Sequence, residues 1–229
     1  MPNPTPATLA SVLEAADVVW FAIEIGWRKR PSDLRSNTKL AERWENTFPM
    51  WNVDGRQVTL SDSSYTSVYL GDGVARWHTQ TGEGYQRIRE LMPQLLEALR
   101  DGERDNLRVQ ISAQSLRPME LAFEKLVSHL SAHVLNGSFL PSLGANTIDF
   151  AYLADTTVNG QWIQLNFGPV TGREVPFRVN AKDIRIPPVA IYLNVTGRAS
   201  LSSASVEEIE RPIRKVIEVG ISTIKRLSS

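Results

Sequence analysis

The chain has 229 residues, with 25 Lys plus Arg balanced by 25 Asp plus Glu, 42% hydrophobic residues and no cysteine. Its length and apolar content suit one substantial core, and the missing cysteines exclude disulfide scaffolds, thiolate catalysis and Cys-ligated metal centres. A formal net charge of zero argues against nucleic acid as a partner, because proteins built around phosphate chains carry a basic excess.

The opening residues Met1-Pro-Asn-Pro-Thr-Pro6 contain no basic signal region, and Pro6 to Ala16 reads as a short helix capped by Thr5. Alternation then predicts a strand over Val18 to Trp27. Val19, Phe21, Ile23 and Ile25 lie on one side, with Trp20 and Glu24 on the other. A basic turn, Arg28-Lys-Arg-Pro31, ends it. A helix over Thr38 to Thr47 is stopped by Phe48-Pro49. Asp54-Gly55 and Gly71-Asp-Gly73 punctuate a meander of short strands at Trp51–Val53, Gln57–Leu60, Tyr65–Leu70 and Val74–His78. The stripe Tyr85, Ile88, Leu91, Met92, Leu95, Leu96 and Leu99 marks an amphipathic helix over Gly84 to Arg100, with Pro93 predicting a kink or a late start.

A strand over Leu107 to Ala113 opens the second half, and Pro118 starts a helix running to Leu135. Ile148, Phe150 and Tyr152 alternate towards Asn159-Gly160, a hairpin signal, and Ile163, Leu165 and Phe167 return antiparallel. Residues 168–188 hold four prolines and read as a long loop, with Val175 to Val179 as a candidate edge strand. A strand over Val189 to Val195 follows. Ser205-x-x-Glu208 forms a capping box for the last helix, in which Pro212 kinks or delays the first turns. The fold class expected is α+β, a largely antiparallel sheet with helices on one face. The element order suggests two β-α-β-β-β-α halves, 1–103 and 104–229, packed as one unit. No residue-level match between them is visible, and no membrane-spanning apolar run occurs.

Candidate chemistry is sparse. Glu24 and Asp149 are carboxylates inside apolar strands and become acid–base candidates if both sheet faces are covered. His129 and His133 stand four apart on one helix, a spacing that can aim two imidazoles at a metal, yet no third ligand or intervening glutamate accompanies them. His133 falls in the apolar stripe and His129 at its border, so packing explains both, and His133 is also a catalytic candidate. His78 has no Ser or Asp identified beside it. Glycine-rich Gly71-Asp-Gly73 and Gly82-Glu-Gly84 lack the spacing of phosphate loops. Trp20 and Trp162 lie opposite the apolar rows of their strands, and Arg28 and Arg30 sit near an aromatic end, so these four are the binding candidates.

The strand Val18-Val-Trp-Phe-Ala-Ile-Glu-Ile25, the Phe48-Pro49 helix stop and the aromatic-led helix from Tyr85 together resemble a sporadically distributed family of uncharacterised bacterial proteins. That family's middle strand reads R-x-G-L-R-Y-I-N. This chain departs from it with Leu107-Arg-Val-Gln-Ile-Ser112. The resemblance implies layout and supplies no activity. The expected role is a non-enzymatic cytoplasmic binding protein that engages a protein partner or a second copy of itself, without a cofactor or resident metal and without a membrane partner. A hydrolase or other small-ligand enzyme and a nucleic-acid-associated factor are the alternatives.

Overall fold

Alternation along the first strand decides the architecture: Phe21, Ile23 and Ile25 are essentially fully buried, whereas Trp20 and Glu24, on the other side of the strand, are only half-buried. Residues on the two faces of a strand meet different surroundings, so one face of the sheet must lie against other elements. The computed structural model describes residues 17–28, 33–55, 57–62, 65–80, 82–100, 107–134, 149, 151–172, 180–185 and 187–229. Its elements in chain order are β1 (Val18–Gly26), α1 (Asp33–Trp44), β2 (Met50–Asp54), β3 (Gln57–Ser61), β4 (Ser67–Gly71), β5 (Val74–Thr79) and α2 (Gly82–Arg100). They continue with β6 (Arg108–Pro118), α3 (Phe123–Val134), β7 (Tyr152–Val158), β8 (Gln161–Thr171), β9 (Val189–Ser200) and α4 (Val206–Leu227).

The fold is α+β. Nine strands form one antiparallel sheet in the order β2-β3-β4-β5-β1-β6-β9-β8-β7, with helices on one face. β1 pairs with β6 at the centre, matching Ile23 with Ile111 and Ile25 with Val109. One continuous apolar cluster runs beneath the helices through both parts of the chain, from Val58 and Leu60 to Ile163 and Leu193. Reading outward from the centre, the order is β1-β5-β4-β3-β2 on one side and β6-β9-β8-β7 on the other. The first part carries the four meander strands read from the sequence, β2 to β5, one more than a β-α-β-β-β-α half holds, and β2 forms the outer edge. The outermost strands bury least, leaving Trp51 and Val53 of β2 and Leu153 of β7 exposed.

Several boundaries differ from the sequence reading for reasons of pairing. α1 starts five residues earlier than Thr38. α2 runs straight through Pro93, whose side chain faces solvent, so the expected late start does not occur. β6 continues to Pro118 because β9 pairs with it along its whole length, and α3 begins at Phe123 instead of Pro118. β8 extends through Pro169 to Thr171, opposite Val189 to Ile191, so the loop is shorter than 168–188. Helix 6–16 and the strand 175–179 lie outside the described residues. The Asn159-Gly160 turn forms as read, both residues at positive φ between paired Val158 and Gln161. Ser205 caps α4 by accepting from the Glu208 amide, but the Glu208 carboxylate turns to Ser202 and Arg211 instead of closing the box.

α4 seats directly on the backbone of β9. A Cβ at Gly197 would collide with Val216 Cγ2 and crowd Ile163, so the missing side chain sets how closely helix and sheet approach. Ile209, Ile213, Val216 and Ile217 of α4 are buried in that contact, and each such side chain contributes about 1.5–3 kcal/mol. Gly197→Ala is expected to destabilise the protein by roughly 2 kcal/mol through overpacking. Adding Val216→Ala should cost less in that background than in the wild type, because it relieves the collision. Urea unfolding of the two single variants and the double variant measures this. Simple additivity would remove the close-approach argument.

Candidate functional site: the helix-free sheet face

The face turned away from the helices is made by the alternate residues of each strand, and cross-strand register places them in rows. One row crosses most of the sheet. Tyr69 (β4) stands beside Arg76 (β5), then Glu24 (β1), Gln110 (β6), Arg198 (β9) and Trp162 (β8). Contacts run along it. The Arg76 guanidinium lies 5.9 Å from the Tyr69 ring centroid, and its Nε donates to Glu24 Oε2 at 2.7 Å. Arg198 Nε donates to Gln110 Oε1 at 2.8 Å, and its guanidinium lies 4.5 Å over the Trp162 ring. An arginine placed over an aromatic ring presents a cationic group there, and the ring quadrupole favours that placement.

At one end the face turns apolar. Leu116, Val170, Ala190 and Tyr192 form a second, smaller cluster, over which Ala181 and Ile184 are packed. The segment 180–185 is tied down along the way. The Asn180 amide donates to Gln114 Oε1, the Lys182 amide to Gln80 Oε1, Gln80 Nε2 to the Lys182 carbonyl, and Tyr65 Oη to Asp183 Oδ2. These bonds carry the segment from β6 across to the β5 side. The chain itself therefore covers the apolar end.

The other end is open. A groove of about 530 Å³ is lined by Glu24, Arg108, Gln110, Trp162, Arg198 and Ser200, among others. A neighbouring space of about 370 Å³ shares Gly26 and Arg108 with it and adds Trp27 and Arg28. Among the described residues, Arg28, Arg108 and Arg198 have no carboxylate partner, whereas Glu24 is already paired with Arg76. Comparison with protein-family models and with curated proteins finds no match.

Three of the four sequence candidates for binding meet on this face. Trp162 lines the groove, Arg28 lies at its β1 end and Trp20 stands further along β1, stacked on His78 with centroids 6.3 Å apart. Arg30 lies outside the described residues. Glu24 is on the helix-free face, as its alternation implied, and its carboxylate is engaged by Arg76. Asp149 is exposed just before β7. The histidine pair reverses the expected burial. His129 is half-buried, with Nε2 donating to the Leu227 carbonyl, while His133 is exposed and donates from Nδ1 to the His129 carbonyl. The reason is the approach of α4, whose last turn covers the His129 side of α3. Among the described residues no three His, Asp or Glu side chains gather as a metal-binding group.

Sequence reasoning missed the partner of His78. Register sets Ser67 opposite it, with Ser67 Oγ 2.7 Å from Nε2 and 3.3 Å from Nδ1. Eleven residues of meander separate the two, and only strand pairing brings them together. Burial holds the imidazole below its ordinary 6.5, with Lys182 and Arg76 adding to the effect. The unfolded chain therefore takes up this proton at higher pH than the folded one. The contribution is fully present above pH 6.5 and is lost as pH falls towards the depressed value. In a ¹³C-edited NMR titration the His78 resonance, assigned by its loss in His78→Gln, should have a midpoint below 6.5. Lys182→Gln should move it upward. A midpoint at or above 6.5 in the wild type would contradict the burial argument.

Proposed function

We propose that the protein is a non-enzymatic, cytoplasmic binding protein that takes its ligand or partner on the helix-free sheet face. The observation that carries this reading is the uneven treatment of that face. One end is apolar and covered by the chain's own 180–185 segment, while the other is left as a groove of polar, aromatic and cationic side chains. Concave surfaces with an aromatic wall and a few convergent polar groups are the usual form of binding sites. Among the described residues no helix is long and apolar enough to cross a membrane, which is compatible with the cytoplasmic part of the proposal.

The groove is rigidly supported, since its side chains project from four adjacent hydrogen-bonded strands, and alternate residues of those strands anchor the core. Rigid elements hold a binding constellation more faithfully than loops do. A hydrolytic reading has one specific observation in its favour, the Ser67–His78 contact. Among the described residues it gains no third group in hydrogen-bond reach to orient the imidazole, and both ring nitrogens face the same hydroxyl.

The test compares wild type with Trp162→Ala/Arg198→Gln, purified identically and examined by native mass spectrometry. The wild type is expected to retain a bound species, or a second copy of the chain, that the double variant loses at least tenfold. Equal occupancy in both proteins, or none in the wild type, would count against the sheet face. Both substitutions lie on the partly exposed face, so thermal unfolding should shift by only a few degrees.

A further inference from the structure

The row across the helix-free face has a symmetry that the linear sequence conceals. Outward from the central pair the residues are Glu24, Arg76 and Tyr69 on β1, β5 and β4, and Gln110, Arg198 and Trp162 on β6, β9 and β8. Equivalent strands of the two parts thus carry a carboxyl or amide group, an arginine and an aromatic ring in the same order. In both wings the inner residue bonds the arginine Nε, and the arginine lies against the ring. The rings differ, tyrosine in one wing and tryptophan in the other, and the difference in charge lies in one functional group. In the first wing Glu24 neutralises its arginine, while in the second Gln110 holds Arg198 in place and no carboxylate among the described residues pairs with it.

The open groove is on the second wing. Beside Arg198 it contains Arg108, and Arg28 lies in the adjoining space. From β1 to β8 it spans three strand spacings, about 14 Å, longer than one planar group needs. An arginine over an aromatic ring, three cations without carboxylate partners among the described residues and an extended floor match a chain of planar rings joined by anionic links. Bases stack on aromatic rings and guanidinium planes, and arginine holds phosphate oxygens through paired hydrogen bonds. An acidic peptide would use the charges but not the stack.

From this we infer that the second wing, Gln110, Arg198 and Trp162 with Arg108 and Arg28, is a binding site for single-stranded nucleic acid, and that Glu24 holds the first wing closed by pairing with Arg76. The inference rests on the sheet-face reading and names its ligand. Overall neutrality does not oppose it, because neutrality constrains only the sum, and some cations elsewhere are compensated: Arg211 and Arg214 of α4, for example, face Glu208 and Glu210.

The experiment is fluorescence anisotropy of 5′-labelled dT12 with the full chain at 50 and 200 mM salt. Wild type should bind, more weakly at the higher salt as phosphate contacts require. Trp162→Ala and Arg198→Gln should each weaken binding at least tenfold. Gln110→Glu, which builds the closed wing in place of the open one, should do the same. Glu24→Gln should tighten binding several-fold by releasing Arg76. Arg211→Gln/Arg214→Gln, on the helix side, should leave it unchanged. The inference is overturned if wild type does not bind dT12, if Gln110→Glu binds like wild type, or if the α4 variant loses as much as Arg198→Gln. Competition by a poly-glutamate peptide, or by dTMP, as effective as unlabelled dT12 also overturns it. Failure here together with a co-purifying species that Trp162→Ala/Arg198→Gln loses would reject only nucleic acid. Absence of any such species would reject the sheet-face reading itself.

Discussion

Nine hydrogen-bonded strands can be closed by helices on a single face only if that face stays apolar across every strand pair, and the antiparallel join of β1 to β6 is where two contiguous groups of strands must agree. Ile23 against Ile111 and Ile25 against Val109 bring the two apolar rows into register. A shift of β1 by one residue there would turn Glu24 into the core and Ile23 out of it. All else follows from that register: one core beneath the helices, and one helix-free face whose polar residues fall into line across the sheet.

That face is divided by the chain itself. The 180–185 segment shields Leu116, Val170, Ala190 and Tyr192, which would otherwise be an exposed apolar patch. Its hydrogen bonds end on Gln114, Gln80 and Tyr65, so the cover is anchored on both sides of β1. Lys182 comes with it and helps keep the His78 imidazole neutral. What remains open is the end where Glu24 and Gln110 occupy corresponding places with different charge. A neutral chain can therefore carry a local cationic groove, since neutrality constrains only the sum.

Periodicity made most of the fold legible. The alternation of Val18 to Trp27, the stripe of Tyr85 to Leu96 and the Asn159-Gly160 turn each express a local geometric preference that tertiary structure keeps. Boundaries governed by long-range pairing were not legible: Pro118 and Pro169 read as breaks, yet both sit in strands because β9 pairs alongside. Trp20, Trp162 and Glu24 could be placed on the second face, since a strand's period of two reveals sidedness. The row from Tyr69 to Trp162 could not, because its members are scattered along the chain from Glu24 to Arg198 and only sheet order lines them up. The same holds for Ser67 and His78. For His129 and His133 the stripe was misleading, because burial on α3 is decided by where the end of α4 lands.

The central claim is that the helix-free face is the working surface of the protein. Hydroxyl-radical footprinting in intact cells, set against the purified protein, tests it without presupposing a ligand. Trp162, on the groove, should be labelled several-fold less in cells than after purification. Trp51, exposed on the far edge strand β2, should be labelled alike in both. Equal labelling of Trp162 in the two settings, or protection confined to Trp51, would contradict the account.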